Sequence, residues 1–346
     1  MADNHLIAKN TVFLYIRMLL SMGIYLYTTR VVLSILGVED YGIYNVVGGL
    51  VAMFSFLNAT MSGATSRFIT FELGKNSSKV QTVFSVALTI HIIIALIVFL
   101  IGETFGLWFL ENKLTIPATK MYEAKWLLQF SIVTMIFSFT QVPYNASIIA
   151  HEKMNIYAYF ELVNVGLKLL SVYLLLIIDA NKLIFYGAIV MLTQIGVTLL
   201  YRLYCTRKWE HCKFNLSLDR EFLRPLLSYS GWDLFGNASL VARTQGVNVL
   251  LNIFFGAILN AAAGIAMQVQ TAAMSFATNV MTAFRPQIVK TYAAKSYSEM
   301  INLISLGSII TYILYLIIAT PLIFEMDFIL HIWLEEVPDY AVCFCR

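Results

Sequence analysis

TVFSVALTIHIIIALIVFLIGETFGLWFL, residues Thr82 to Leu110, is an unbroken apolar run whose only carboxylate is Glu103. A hydrocarbon layer about 30 Å thick is crossed by roughly 20 residues of helix, and a backbone in that layer must satisfy its own hydrogen bonds. The run therefore reads as a transmembrane helix. Outward from it the same pattern recurs, giving expected spans at Thr11 to Leu36, Tyr41 to Ser66, Thr82 to Leu110, Glu123 to Ala150 and Met154 to Ile178. Further spans are expected at Lys182 to Tyr204, Pro225 to Phe255, Leu259 to Phe284 and Met300 to Phe324, with a tenth beginning near Tyr340. Of 346 residues 59% are apolar and 12% charged, about half the charged share of soluble domains, which excludes a water-soluble globule.

Lys and Arg report orientation, because short basic loops stay in the cytoplasm. Alternate loops hold fourteen on one side, from Lys9 through Arg67, the run Arg202 to Arg224 and Arg285 to Lys295. The other side holds four, Lys113, Lys120, Lys125 and Lys182. This predicts a multi-pass protein of the bacterial inner membrane with a cytoplasmic N-terminus. The net charge of +3 then reflects topology rather than nucleic-acid binding. Residues Met1 to Asn10 are polar and lead directly into the first span without a small-residue cleavage pattern, the mark of an uncleaved helix. Cys205 and Cys212 lie in the basic loop, and Cys343 and Cys345 in the last apolar segment. Neither pair has metal-ligand spacing, so reduced, inert thiols are expected.

A weak second copy of the opening begins roughly 218 residues later. VVLSILG (Val31 to Gly37) stands opposite LLNIFFG (Leu250 to Gly256), each ending a span at a glycine before a very short external turn. Asn58, Ser62 and Thr65 stand opposite Ser275, Asn279 and Thr282, and Arg67 opposite Arg285. Such repeats mark transporter halves. The expected fold is all-α and integral to the membrane, two repeat-related six-helix bundles. The first is residues 1–204, a basic cytoplasmic linker covers 205–224, and the second is 225–346. The second copy holds three spans and part of a fourth, so its bundle is expected to be incomplete.

Six charged residues within spans stand out: Arg17 and Arg30, Glu161 and Lys168, Asp233 and Arg243. A charge at bilayer depth is costly and faces a cavity or a partner. Tyr157, Glu161, Asn164 and Lys168 share one helix face, as do Ser55, Asn58, Ser62 and Ser66 on the second span and Gln268, Thr271, Ser275, Asn279 and Thr282 on the eighth. Matching polar stripes on repeat-related helices suit two halves facing one water-filled cleft. Lumen-lining candidates are thus Asn58, Ser62, Asn164, Gln268, Ser275 and Asn279. The plainer reading, in which these groups bond to a neighbouring helix or to their own backbone, stays open. So does neutralisation of Glu161 by Lys168 and of Asp233 by Arg243. Arg17 and Arg30 have no acid on their own helix, which favours a ligand or cavity role, although Arg30 is close enough to the external end to snorkel. His91 is expected as a packed or hydrogen-bonded histidine and Glu103 near the external interface.

There is no phosphate-cradling glycine loop, metal-ligand set or nucleophile elbow, and the external loops are too short for a catalytic site. An enzyme is not expected, nor a cofactor or metal. TTRVVLSILGVEDYGIYNVVGGL (Thr28 to Leu50), QVPYNASIIAHEKMNIYAYFELVNVGLKLL (Gln141 to Leu170) and ILHIWLEEVPDYAV (Ile329 to Val342) resemble the polysaccharide and O-antigen flippases. These belong to the multidrug/oligosaccharidyl-lipid/polysaccharide exporter (MOP, MATE-like) superfamily. The resemblance implies alternating access that carries an undecaprenyl-diphosphate-linked oligosaccharide across the inner membrane, alongside other polysaccharide assembly proteins. It implies basic lumen residues, matched here by Arg17, Arg30 and Lys168. With Arg243 these are the diphosphate candidates, and Glu161 and Asp233 are the carboxylates available for proton or sodium coupling. The alternatives are a cation-coupled multidrug antiporter on the same fold and, after it, a membrane-bound polysaccharide polymerase.

Overall fold

The computed structural model describes residues 4–52, 54–75, 77–114, 116–177, 181–215, 217–333 and 340–346, and among these every regular element is helical. In order they are α1 (Asn4–Ala52), α2 (Ser55–Gly74), α3 (Val80–Ile101), α4 (Leu107–Asn112), α5 (Met121–Ala150), α6 (Met154–Ile177), α7 (Lys182–Lys208), α8 (Arg220–Ala293), α9 (Tyr297–Phe324), α10 (Met326–Trp333) and α11 (Ala341–Cys345). Among the described residues, six helical stretches are long and apolar enough to cross a membrane.

Most expected boundaries hold within a few residues, with three informative differences. Gly37 bends α1 with φ of 77°, a conformation that favours glycine, where the first external turn was expected. The second expected span is divided between the end of α1 and α2. The seventh and eighth expected spans both fall within α8 (Arg220–Ala293), and the turn expected at Gly256 lies outside the residues described in full. The opening run of α3 passes through a π-helical turn, Gly102–Gly106, before α4.

The chain divides into two compact units, Val12–Gly231 and Trp232–Arg346 with the residues up to Thr11. In the first, α5 is the central helix, packed against α2, α3, α6 and α7. Leu127, Leu128, Ile132 and Phe139 of α5 are buried in one apolar cluster with Val47, Val98, Val172 and Leu183. A second cluster gathers Phe84, Tyr144, Ile148, Tyr201 and Leu226. Gly187 of α7 lies so close to α5 that a Cβ there would meet Leu127 Cδ2 at 2.6 Å. Small residues permit such approach between membrane helices. On α3, Val83, Phe84, Val86 and Ala87 are buried while Ile92, Ile93, Leu96 and Ile97 are exposed. A wholly exposed apolar face of this size belongs in hydrocarbon, not water.

The ends of this unit carry the polar-interface chemistry of a membrane protein. At one end Trp108 and Trp126 are exposed and cluster with Phe105 and Phe130, as aromatic belts do. There Lys120 pairs with Asp40 at 2.7 Å and Lys125 with Glu111 at 2.6 Å. Elsewhere in the unit the expected basic loop is largely ordered. Helix α7 runs on to Lys208, Glu210–Cys212 forms a 3-10 turn, and Lys79 binds Glu221 at 2.6 Å, which raises the lysine pKa.

In the second unit, Ala262, Met326, Leu330 and Ala341 form an apolar cluster. Gly307 of α9 faces Phe284 of α8. The two helices are joined at Lys295, whose φ is 60°.

Gly187→Ala is expected to lower the thermal unfolding midpoint of the detergent-solubilised protein, by about 1–3 kcal/mol of overpacking. Gly166→Ala, whose new Cβ has nothing within 4 Å, serves as its control. Equal midpoints for the two variants would contradict the close α5–α7 approach.

Candidate functional site

Helix α5 contains Pro143, which brings no N–H to bond the carbonyl of Phe139 and clashes with it in a regular helix. Side chains serve neighbouring carbonyls instead. Thr140 and Thr198 donate to the Phe137 carbonyl at 3.0 and 3.4 Å, and Ser147 donates to that of Pro143 at 3.0 Å.

Beside this irregularity lies a cavity of about 380 Å³. Its polar lining is Asn58 and Ser62 from α2, Ser138, Gln141 and Asn145 from α5, and Gln194 from α7. All six are half-buried. Asn58 Nδ2 donates to Ser138 Oγ at 2.8 Å, Gln194 Nε2 to Gln141 Oε1 at 2.8 Å, and Thr198 Oγ1 to the same oxygen at 3.2 Å. Among the described residues, no charged side chain lines the cavity. Asn145 Oδ1 is buried there and accepts no hydrogen bond. A second cavity of about 270 Å³ shares Ser138 and Gln194 but is otherwise mostly apolar, with Tyr44, Phe130 and Met135 in its wall.

Arg17 is tied to the first of these cavities through two bonds. Its Nη1 donates to the Tyr157 hydroxyl at 3.0 Å and its guanidinium carbon lies 4.8 Å from the centre of that ring. Tyr157 is in turn hydrogen-bonded to Asn145 and within electrostatic range of Glu161. Guanidinium over an aromatic face contributes about 0.5–2 kcal/mol, more as water is excluded. The arrangement thus holds a cation inside an apolar bundle while leaving it half-buried.

Of the other residues singled out in the sequence, Asn58 and Ser62 reach the cavity, and Asn164 Oδ1 is buried without a hydrogen-bond partner. Lys168 and Arg243 are exposed, while Glu161 and Asp233 are half-buried. The Arg30 side chain falls outside the described residues. Neutralisation within helices is not what the structure shows. Glu161 and Lys168 stand seven residues apart and Asp233 and Arg243 ten, about 10 and 15 Å at 1.5 Å per residue, and no described ion pair joins either couple.

The α8 stripe differs from its α2 counterpart. Thr271, Ser275 and Thr282 each donate to the carbonyl four residues earlier, so these hydroxyls satisfy their own helix. Gln268 is exposed and Asn279 buried. His91 is fully buried with Nδ1 2.7 Å from the Ala87 carbonyl. Glu103, in the π-helical turn, accepts from Gln129 at 3.1 Å.

Cys205, at the end of α7, and Cys212, in the 3-10 turn that follows, are both fully buried beside Trp209, whose ring stacks on His151 at 4.1 Å. The Cys205 thiol hydrogen-bonds Cys212 and, with His211, draws the Cys212 thiol below its ordinary range. No group of three or more His, Cys, Asp and Glu among the described residues could hold a metal ion.

No protein-family model and no curated protein matches the chain, but solved structures do. A MATE protein in a straight conformation superposes with TM-score 0.80 at 14% identity, covering 98% of this chain and 76% of that one. The fold is that of the MATE transporters. A MOP superfamily transporter from Pyrococcus furiosus, noted for reversed polarity of its binding pocket, gives 0.78 at 14% identity over 96% and 75% of the two chains. An outward-facing multidrug resistance MATE transporter gives 0.76 at 14% identity over 91% and 72%. The chain is accordingly a multi-pass, MATE-like membrane protein.

Ser138, Gln141 and Asn145 were not among the sequence candidates, although their spacing of three and four residues places them on one helix face.

Replacing Gln141 alone by Leu removes an acceptor shared by Gln194 and Thr198, leaving Gln194 only its longer bond to Thr198, and is expected to cost about 1–3 kcal/mol. The double variant Gln141→Leu/Gln194→Leu removes both partners and should be less destabilised than the sum of the two single changes. Strict additivity in thermal unfolding would contradict the bonded pair.

Proposed function

We propose that the chain is a flippase carrying an undecaprenyl-diphosphate-linked oligosaccharide, such as an O-antigen or other surface-polysaccharide repeat unit, across the inner membrane by alternating access. The observation that carries this reading is Arg17, a half-buried cation in the first bundle whose guanidinium donates to the Tyr157 hydroxyl and lies over that ring. A diphosphate carries negative charge and accepts hydrogen bonds, and guanidinium groups are suited to both features. Arg30, Lys168 and Arg243 are the further candidates for the same role. The cytoplasmic N-terminus follows from the basic loops.

A multidrug antiporter on the same fold is the second reading, favoured by the multidrug transporter among the structural neighbours. A cationic cargo calls for interior carboxylates. None lines the polar cavity of the first bundle, which leaves Glu161 and Asp233 as the half-buried acids and as the groups through which a proton or sodium gradient would act.

In cells whose surface glycan depends on this protein, Arg17→Ala and Lys168→Ala are expected to reduce export at least tenfold at equal protein level, with Arg17→Lys intermediate. Undiminished export by both alanine variants would overturn the assignment. Drug resistance on expression without any glycan phenotype would favour the antiporter instead.

A further inference from the structure

We infer that the polar cavity between α2, α5 and α7 is a subsite for an uncharged sugar residue of the cargo, separate from the cationic groups that hold the phosphates. The inference rests on the flippase reading and adds the place and chemistry of sugar recognition. Size comes first. At about 380 Å³ the cavity has room for on the order of a dozen waters, far more than a bare ion fills, and falls at the low end of small-molecule pockets, about 300–1,000 Å³.

Chemistry narrows the occupant further. Amides and hydroxyls from Asn58, Ser62, Ser138, Gln141, Asn145 and Gln194 offer donors and acceptors together. Sugar hydroxyls need both; phosphate oxygens only accept. Among the described residues, no charged side chain lines the cavity to hold a phosphate. Much of the lining is also fixed in advance, since Asn58 is held by Ser138 and Gln194 by Gln141, so few side chains must be ordered when a ligand enters.

The adjoining apolar cavity supplies the complementary surface. It meets the polar one at Ser138 and Gln194 and is walled by Tyr44 and Phe130. A pyranose ring is polar at its rim and apolar across its C–H face, so a polar pocket opening onto aromatic walls matches both. The link from Asn145 through Tyr157 to Arg17 joins the sugar subsite to a phosphate-binding cation within one bundle.

The test measures binding of two lipids to the full chain in nanodiscs by native mass spectrometry: undecaprenyl diphosphate, and the same lipid bearing one N-acetylglucosamine. The wild type is expected to bind the sugar-bearing lipid about tenfold more tightly, the gain from one or two good hydrogen bonds. Gln141→Leu/Gln194→Leu and, separately, Asn58→Leu should abolish that preference while still binding the bare lipid, which also shows that the variants are folded. Equal affinity of the wild type for both lipids, or a preference that survives in both variants, would overturn the sugar subsite and leave the flippase reading standing. Failure of the wild type to bind either lipid above a phospholipid background would overturn the flippase reading and this inference with it.

Discussion

Inside a hydrocarbon layer, a polar group that finds no partner within the protein has none, and this constraint organises the first bundle. Its central helix, α5, carries Pro143, and the hydroxyls of Thr140, Thr198 and Ser147 bond carbonyls nearby. Gln141 and Gln194 satisfy each other, Gln194 Nε2 donating to Gln141 Oε1. A polar cavity results within a scaffold whose buried clusters are mostly Leu, Ile, Val and Phe.

Electrostatics divides the work between neighbouring regions. Arg17 sits half-buried in the first bundle, its guanidinium over the Tyr157 ring and bonded to the phenolic hydroxyl. The described lining of the cavity beyond Asn145 is, by contrast, uncharged. On the proposed function, an anionic headgroup and a neutral sugar would meet different surfaces.

Much of this architecture was legible in the sequence because the membrane imposes simple rules. Apolar run length located α3, α5, α6, α7 and α9 to within a few residues, and Gly37 marked a real bend. The candidate site was legible on one side only. Asn58 and Ser62 stood out because they share a polar helix face that recurs on a repeat-related helix, whereas Gln141, Asn145 and Gln194 had no such counterpart in the sequence. Their convergence depends on the close packing of α5 against α2 and α7, long-range contacts that no local pattern encodes. The same limit applied to Cys205 and Cys212, placed in a loop by their neighbours' charge but buried by packing.

The central claim is that the cargo is an anionic lipid rather than a cation, and transport itself tests it most directly. In proteoliposomes containing the full chain, a fluorescent undecaprenyl-diphosphate-linked sugar and the cationic dye ethidium would be followed side by side under an imposed ion gradient. The account predicts protein-dependent movement of the lipid, lost in Arg17→Ala, with no movement of ethidium above protein-free vesicles. Extrusion of ethidium with the lipid left in place would contradict it.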